Sequence, residues 1–573
     1  MNSPPDDIES PKTMTESRNI LFIMYDQLRR DYVSCYGKDI VDTPNMDRLA
    51  AMGVRFDRAY AQAPVCGASR MSCYTGRYVG SHGAGWNGIP LSVGQKTMGE
   101  HLRDAGMDCW LVGKTHMVPD RAGFERLGIN PESRSGQRLA ECGFDLVERD
   151  DGLNPEGAGG RYDDRGAETY NAYLRVRGYP GENPWHDYAN SALDEDGNIL
   201  SGWFLKYNNR PANIAEQDSE TPYMTRRAIE FIRTAPADRP WCLHLSLIKP
   251  HWPYIVPEPY ASLYGPEDVP EAIRSGKEFE TEHSILRFMT RGRIGSTFSR
   301  EEVRQTVIPA YMGLVKQCDD QLGVLLDWLE ENRHLDRTMI VLTSDHGDYL
   351  GDHWLGEKMF FHDTSVRVPL LVYDPSPMAD STRGTVSDAL IEQIDLAPTF
   401  VAVAGGTPQA QWLEGHSLLP ILHGDVTDLD RDCVICEVDY SASTFAGALK
   451  AGVRGMIGVM IADKSWKLIQ FDSGDAPLLF DLVNDPDELT DLGRDPAYAD
   501  TVAAMTRKLL HWAMRPSQRV TLSHDALLRM REMAVPLGIA VGVWDETVMP
   551  ELTVKYRDLK GKPWQEFRHE PDG

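Results

Sequence analysis

Ile20-Leu-Phe-Ile-Met24 is a short, unbroken apolar run that stops at Tyr25-Asp26-Gln27. Apolar residues in succession, without alternation, predict a strand covered on both faces, as strands of a parallel sheet are. The pattern returns at Cys109-Trp-Leu-Val112, at Trp241-Cys-Leu-His-Leu-Ser246 and at Thr338-Met-Ile-Val-Leu-Thr343. Helical signals lie between these runs. Thr43-Pro44-Asn45 places a cap and a first-turn proline before a helix that Gly53 closes. Thr97 and Glu100 have capping-box spacing ahead of a helix that ends at Gly106. Ser299 to Asn332 predicts a long helix, kinked at Pro309. Strands alternating with helices predict an α/β fold, a mostly parallel central sheet with helices on both faces. Ligands bind such sheets beyond the carboxyl ends of the strands. The polar triplets 25–27, 249–251 and 344–346 all follow strand ends, so the pattern directs acid/base and metal-type groups to one edge and predicts one active site there.

The remaining chain divides by the same signals. The stretch 121–220 is rich in Gly, Asp, Asn and Arg and weakly periodic, which reads as a loop-rich insertion near the site or at a subunit contact. Beyond residue 425, Cys433–Val438, Gly458–Ile461, Trp466–Phe471 and Leu478–Leu482 read as successive short strands of a smaller antiparallel sheet, followed by a helix at Thr501–Ala513. The resulting organisation is a polar N-terminal segment (1–18), an α/β domain (19–425), a C-terminal sheet with helix (426–540) and a polar tail (541–573). Trp544, Tyr556, Trp564 and Phe567 make that tail a candidate oligomer contact.

Composition narrows the partners. The chain has 573 residues, 42% apolar and 25% charged, which suits a large folded core. Its formal charge of −27 repels nucleic acid and anionic lipid, so neither is expected as a partner, whereas a local basic pocket can still hold a small anion. Residues 1–17 lack a basic segment followed by an apolar one, and no stretch approaches the ~18 apolar residues of a membrane span. Nine scattered cysteines are read most simply as reduced thiols in a cytoplasmic protein. Cys433-Val-Ile-Cys436 has CxxC spacing, but it sits in an apolar run with no second pair, which favours packing over metal or redox chemistry.

Asp26, Gln27, Asp345 and His346 bring two carboxylates, an amide oxygen and an imidazole to two strand ends, a donor set for Ca2+ or Mn2+. Between them lies Pro-Val-Cys66-Gly-Ala-Ser-Arg70-Met-Ser-Cys-Tyr74-Thr-Gly-Arg77. With Thr43-Pro-Asn-Met-Asp-Arg-Leu49, Val112-Gly-Lys114-Thr-His116, Lys249-Pro-His251, Thr343-Ser-Asp345-His346-Gly-Asp-Tyr-Leu-Gly-Asp-His353 and Lys358, these motifs resemble the sulfatase branch of the alkaline phosphatase superfamily, and within it the arylsulfatases and phosphonate monoester hydrolases. Glu414-Gly-His-Ser-Leu-Leu-Pro420 and Leu479-Phe-Asp-Leu-Val-Asn-Asp-Pro486 extend the likeness, which covers roughly residues 19–500.

The resemblance implies an alkaline phosphatase-like fold, one divalent metal, and oxidation of Cys66 to formylglycine by a maturation enzyme. The hydrated aldehyde offers two hydroxyls on one carbon. One, activated by the metal, attacks sulfur or phosphorus in line, and loss of the other's proton then collapses the adduct. By the same resemblance Asp26, Gln27, Cys66, Asp345 and His346 form the metal site, and Arg70 orients the formylglycine. Lys114 and Lys358 bind the sulfuryl or phosphoryl oxygens. His251 is the candidate general acid, with Lys358 sharing that role, His116 contacts the second hydroxyl as a base, and Asn87 donates to a substrate oxygen. A homo-oligomer, dimer or tetramer, is also implied.

The chain departs from the family pattern at identifiable places. Ala68 stands where the cysteine motif usually has proline, which bears on which maturation enzyme acts. Gln27 and His346 stand where typical sulfatases carry a carboxylate and an amide, and here the chain resembles the phosphonate monoester hydrolases. A less anionic, softer donor set shifts preference from Ca2+ toward Mn2+. Lys114 and His116, in contrast, look like sulfatase residues. The reading is sulfate monoester hydrolysis of the arylsulfatase type with promiscuity toward phosphonate monoesters. The alternatives are phosphonate monoester or phosphodiester hydrolysis as the primary activity, and an inactive metal-binding relative. The natural small anionic ester is left open.

Overall fold

In the computed structural model, which describes residues 18–152, 164–236, 238–450, 452, 454–531 and 544, the first apolar run becomes β1 (Asn19–Asp26), buried along its whole length. The chain then builds β2 (Val54–Tyr60), β3 (Asp108–Gly113), β4 (Asp145–Arg149), a separate hairpin of β5 (Ser191–Leu193) with β6 (Ile199–Ser201), β7 (Trp241–Pro250) and β8 (Thr338–Ser344). β9 (Arg367–Val368), β10 (Leu370–Tyr373) and β11 (Thr385–Glu392) complete a sheet of order β11-β2-β10-β8-β1-β7-β3-β4, with β9 paired to β2. Pairing is parallel from β8 through β1, β7 and β3 to β4, and β10 is inserted antiparallel. The expected mostly parallel sheet is present, and the antiparallel β10 makes it mixed. Its centre is β8-β1-β7, the three strands whose ends carry the polar triplets.

The predicted helices form where their signals lie. Pro44–Met52 begins after Thr43 and ends at Gly53. Its first amides are held from outside, because the Asp319 carboxylate accepts from Asn45 N (3.0 Å) and Met46 N (2.8 Å). Gly53 matters for space as well as for termination, since a Cβ there would stand 2.1 Å from the Val372 carbonyl oxygen. Met98–Asp104 carries the Thr97/Glu100 capping box. The long helix Glu301–Glu331 runs on through Pro309 as one element. Val307, Ile308, Ala310 and Tyr311 on either side of it are all buried.

The stretch 121–220 is less loop-like than its composition suggests. It supplies β4, which extends the central sheet, and the helices Arg121–Leu127, Arg134–Leu139 and Asp164–Val176. The polar residues of β4 disguised it. Glu148 pairs with Arg227 (3.2 Å), and Arg149 pairs with Glu141 and Asp151, so the charges of this edge strand are satisfied by neighbours.

Toward the C-terminus, β12 (Val434–Asp439), β13 (Ile457–Ala462), β14 (Trp466–Phe471) and β15 (Leu478–Asp481) form the expected small antiparallel sheet, followed by the helix Ala499–Ala513. The chain divides into two compact units. One comprises Met1–Pro408 and Leu413–Arg515, which contains both large and small sheets; the other comprises Gln409–Trp412 and Pro516–Gly573, in which the helix His524–Arg531 is described. Of the N-terminal segment and the tail, residues 1–17 and all of 541–573 except Trp544 lie outside the described residues. Every cysteine is free, including Cys433 and Cys436. No helix among the described residues is long and apolar enough to cross a membrane.

Candidate active site

The site is assembled where β1, β7 and β8 end. β1 delivers Asp26 as its last residue, and the chain then turns at Gln27 with φ +68°. β8 ends at Ser344, immediately before Asp345 and His346. Cys66 is the first residue of the helix Cys66–Thr75, every residue of which is buried. β3 ends at Gly113 (φ +109°), where a Cβ would meet the Ser246 carbonyl oxygen at 1.9 Å. That close approach lets Lys114 N donate to Ser246 O (3.0 Å) and turns the Lys114 side chain into the site.

Arg70 ties these elements together. It lies one helical turn after Cys66, so both face the same side. Its guanidinium donates to Asp345 Oδ2 (2.8 Å), Ser246 Oγ (2.6 Å), Lys114 O (3.1 Å), Asp26 Oδ2 (3.3 Å) and Tyr74 Oη (3.4 Å). A fully buried guanidinium is tolerable because its donors are met and two carboxylates balance it. Lys114 Nζ is 2.6 Å from Asp26 Oδ2. Burial works to raise the Asp26 pKa, as does Cys66, but Lys114, His251 and Arg70 hold it well below the usual carboxylate range. Burial and the Asp26 charge instead push Asp345 up.

The thiol of Cys66 points into this cluster, 3.1 Å from His346 Nε2 and 3.7 Å from Asp26 Oδ1. Burial alone would raise its pKa, but Lys358, His346 and Lys114 outweigh burial and hold it well below the ordinary thiol value. The side chain at position 66 is therefore held in a pocket that favours an anion.

Asp26, Cys66, Asp345 and His346 place ligand atoms within 4.8 Å of one another, and all four residues are buried. His346 Nδ1 donates to the Gly347 carbonyl (2.9 Å), which leaves the Nε2 lone pair directed into the cluster. Two carboxylates and an oriented imidazole are a donor set that fits a divalent ion. Gln27 borders the cluster, and its amide is pinned. Nε2 donates to Tyr254 Oη (3.0 Å) and Asp348, while Oε1 accepts from Lys358 Nζ (2.7 Å).

Lys358 also donates to His251 Nε2 (2.8 Å), and His251 Nδ1 donates to the Trp252 carbonyl (2.8 Å). This pattern defines a neutral imidazole whose Nε2 accepts. Burial, reinforced by Lys358, draws the His251 pKa down to about 3. The Trp252 ring lies against His251, with centroids 4.1 Å apart, and Lys358 Nζ stands 5.5 Å above the same ring.

His116 adopts φ +58° and its backbone amide donates to Asp151 (3.1 Å), which turns the imidazole toward Cys66, where it helps to hold the thiol pKa down. Asn87 lies beside the helix Cys66–Thr75, where its Oδ1 accepts from Gly67 N (2.7 Å). Ser246, Tyr254, Asp348 and Asp151 were not assigned from sequence, although each positions a residue that was. Asp348 had a signal, standing three residues after Asp345 in one motif. Tyr254 and Ser246 had none.

Lys249 follows a different course from its strand-end neighbours. Its Nζ turns to Asn190 Oδ1 (2.8 Å) and the Pro253 carbonyl (3.0 Å), and burial draws its pKa down to about 8. Lys249→Met is expected to cost about 1–3 kcal/mol of unfolding free energy in urea denaturation, because two buried acceptors lose their donor. Turnover should be unaffected, and a loss of activity without a loss of stability would overturn this structural role.

A parallel sheet that brings paired carboxylates, an imidazole and buried cations to adjoining strand ends is the arrangement of the alkaline phosphatase superfamily. The family model described as Sulfatase matches residues 18–406, and one described as N-sulphoglucosamine sulphohydrolase, C-terminal, matches residues 351–515. The chain belongs to the sulfatase family. It is 30% identical to the multifunctional alkaline phosphatase superfamily protein PehA of Trinickia caryophylli, over 88% of this chain and 97% of that one. It is 28% identical to an arylsulfatase of Clostridium perfringens, over 86% and 93%. Among solved structures, the phosphonate monoester hydrolase of Silicibacter pomeroyi superposes with a TM-score of 0.75 at 28% identity, covering 89% of this chain and 98% of that one. These relatives mark the chain as a hydrolase of sulfate or phosphonate esters.

Proposed function

We propose that this protein hydrolyses sulfate monoesters, using one divalent metal and a formylglycine derived from Cys66, and that phosphonate monoesters are its second substrates. The observation that carries this reading is the buried Cys66 side chain, which ends inside the Asp26–Asp345–His346 cluster with Lys114 and Lys358 beside it. Mn2+ is favoured over Ca2+ because the imidazole of His346 joins the carboxylates. When bound, the metal supplies Lewis acidity and the aldehyde a hydrated nucleophile.

The chain's own residues do the rest. Asp26, Asp345 and His346 hold the ion, with Gln27 at its border. Arg70 offsets the two carboxylates and fixes the helix that carries position 66. Lys114 and Lys358 balance negative charge on the transferring group's oxygens, and in a buried site that charge is felt strongly. His116 accepts a proton beside position 66. Lys358 and His251 face the departing oxygen. Sulfate and phosphonate monoesters both carry a single negative charge, so the same cations serve either group.

The phosphonate reading is favoured by Gln27 and His346, and the sulfate reading by Lys114 and His116. Measurement of kcat/KM on an aryl sulfate and the matching aryl phosphonate monoester decides between them. Sulfate is expected to be the better substrate, and a phosphonate preference of about a hundredfold, ~2.7 kcal/mol in transition-state stabilisation, would reverse the order. Removal of the metal by a chelator is expected to abolish both activities together, with recovery greatest on adding Mn2+. Activity that survives full chelation would rule out the metal's role.

A further inference from the structure

The amide of Gln27 has one end that accepts and one that donates, and the hydrogen bonds around it fix which end faces the site. Its Nε2 gives one hydrogen to Tyr254 Oη (3.0 Å) and the other to Asp348 Oδ2. The Tyr254 hydroxyl donates to that same carboxylate oxygen (2.6 Å), and Asp348 Oδ1 accepts from Leu350 N (3.0 Å). Asp348 thus accepts at both oxygens, and with the Tyr254 proton committed neither group can donate to an amide oxygen. The Oε1 end turns the other way, where Lys358 Nζ donates to it (2.7 Å) at the border of the Asp26–Asp345–His346 cluster. The Gln27 backbone is held as well, since its N donates to Asp345 Oδ1 (3.0 Å) and its carbonyl accepts from Tyr311 Oη (2.8 Å). Gln27, Tyr254 and Asp348 are all buried, so an unmatched donor or acceptor among them is costly.

We propose that Asp348 is a positioning residue that sets which metal the site takes: with Tyr254 it aims the Gln27 oxygen at the cluster, and it keeps position 27 uncharged. This deepens the reading of the cluster as a metal site and rests on it. Asp348 acts through Gln27, since it is not among the residues whose ligand atoms converge there. A carboxylate at position 27 would stand in contact with the Asp348 carboxylate, two buried negative charges with no hydrogen between them. The chain instead pairs an acid at 348 with an amide at 27, and the charge that a third acidic ligand would bring to the ion is held back behind that amide. The ion is left with the carboxylates of Asp26 and Asp345, an imidazole and a neutral amide oxygen at its edge, a set that suits Mn2+ better than Ca2+. Interchanging the two functions, Gln27→Glu with Asp348→Asn, keeps the net charge and reverses the hydrogen bond between the two positions. The amide nitrogen at 348 then donates to one carboxylate oxygen at 27, Lys358 donates to the other, and the negative charge moves to the edge of the ion.

The test measures Mn2+ and Ca2+ binding by calorimetry to metal-free protein carrying Cys66→Ala, so that turnover plays no part. Asp348→Asn presents a donor where Gln27 Nε2 needs an acceptor, turns the amide, and is expected to weaken Mn2+ binding about tenfold or more. Adding Gln27→Glu is expected to restore Mn2+ binding to within about threefold and to lower the ratio of Mn2+ to Ca2+ affinity about tenfold. Unchanged Mn2+ binding in folded Asp348→Asn protein overturns the proposal, and so does a double variant that stays as weak as the single one or keeps the original ratio. Thermal melts of the same metal-free proteins judge the pair without any ion. Each single substitution is expected to lower the melting temperature and the two together to bring it back, because residues in direct contact do not act additively. A double variant that melts at or below the less stable single one overturns the pairing even if the metal reading stands. Recovery of stability in proteins that bind neither ion upholds the pairing of 27 with 348, and removes both the metal reading and the metal choice drawn from it.

Discussion

Cys66→Ala is expected to lower kcat/KM on an aryl sulfate by about 10^4-fold or more, the scale seen when a nucleophile is deleted from other hydrolases. The thiol contributes little to packing, so a cooperative melt and an unchanged far-UV spectrum should accompany the loss. The physical basis is the position of this side chain. It is fully buried, ends 3.1 Å from His346 Nε2, and has Lys358, His346 and Lys114 around it, which favour an anion there. Retained multiple turnover would sink the nucleophile assignment. Mass spectrometry of the Cys66 peptide supplies the companion test. Active protein should carry the aldehyde, and a fully unmodified thiol in active protein would contradict it. Ala68 gives that measurement added weight, because it stands inside the sequence a maturation enzyme must read.

The second large effect is expected at Lys358. Lys358→Met should lower kcat/KM by about 10^2–10^3, as loss of one preorganised donor does at other sites, and the deficit should grow as the leaving group becomes more basic. The hydrogen bonds assign the proton. His251 Nδ1 donates to a carbonyl and Nε2 accepts from Lys358, so the proton nearest the departing oxygen sits on the lysine. Deep burial works to lower the lysine pKa, but Cys66 and Asp26 keep it raised and the group charged. His251→Ala is expected to be milder, because the imidazole then acts by holding Lys358 in line. A series of aryl sulfates of graded leaving-group pKa separates the two. A steeper dependence in His251→Ala than in Lys358→Met would return the acid role to the histidine.

Much of this site was legible in local sequence. Asp26 and Asp345-His346 could be placed because each follows an apolar run that could only be a buried strand. Cys66 and Arg70 are four residues apart, the spacing of one helix face. Other features were invisible to such reasoning. β4 carries charges that only Glu141, Asp151 and Arg227 make tolerable, and these come from other parts of the chain. Lys249 shares a motif with His251 yet faces Asn190, because β7 ends at Pro250 and His251 lies in the turn beyond it, where the two-residue alternation of a strand no longer holds.

The sequence by itself determined the central strands β1, β3, β7 and β8, the helices with clear caps between them, the small C-terminal sheet and the kinds of side chain at the strand ends, because each depends on periodicity, capping or short motifs that act within a few residues. The tertiary structure alone decided which of those side chains meet. It put Lys358 between Gln27 and His251, residues more than a hundred positions away from it in the chain. Such contacts depend on how distant elements pack, and no local pattern encodes that geometry.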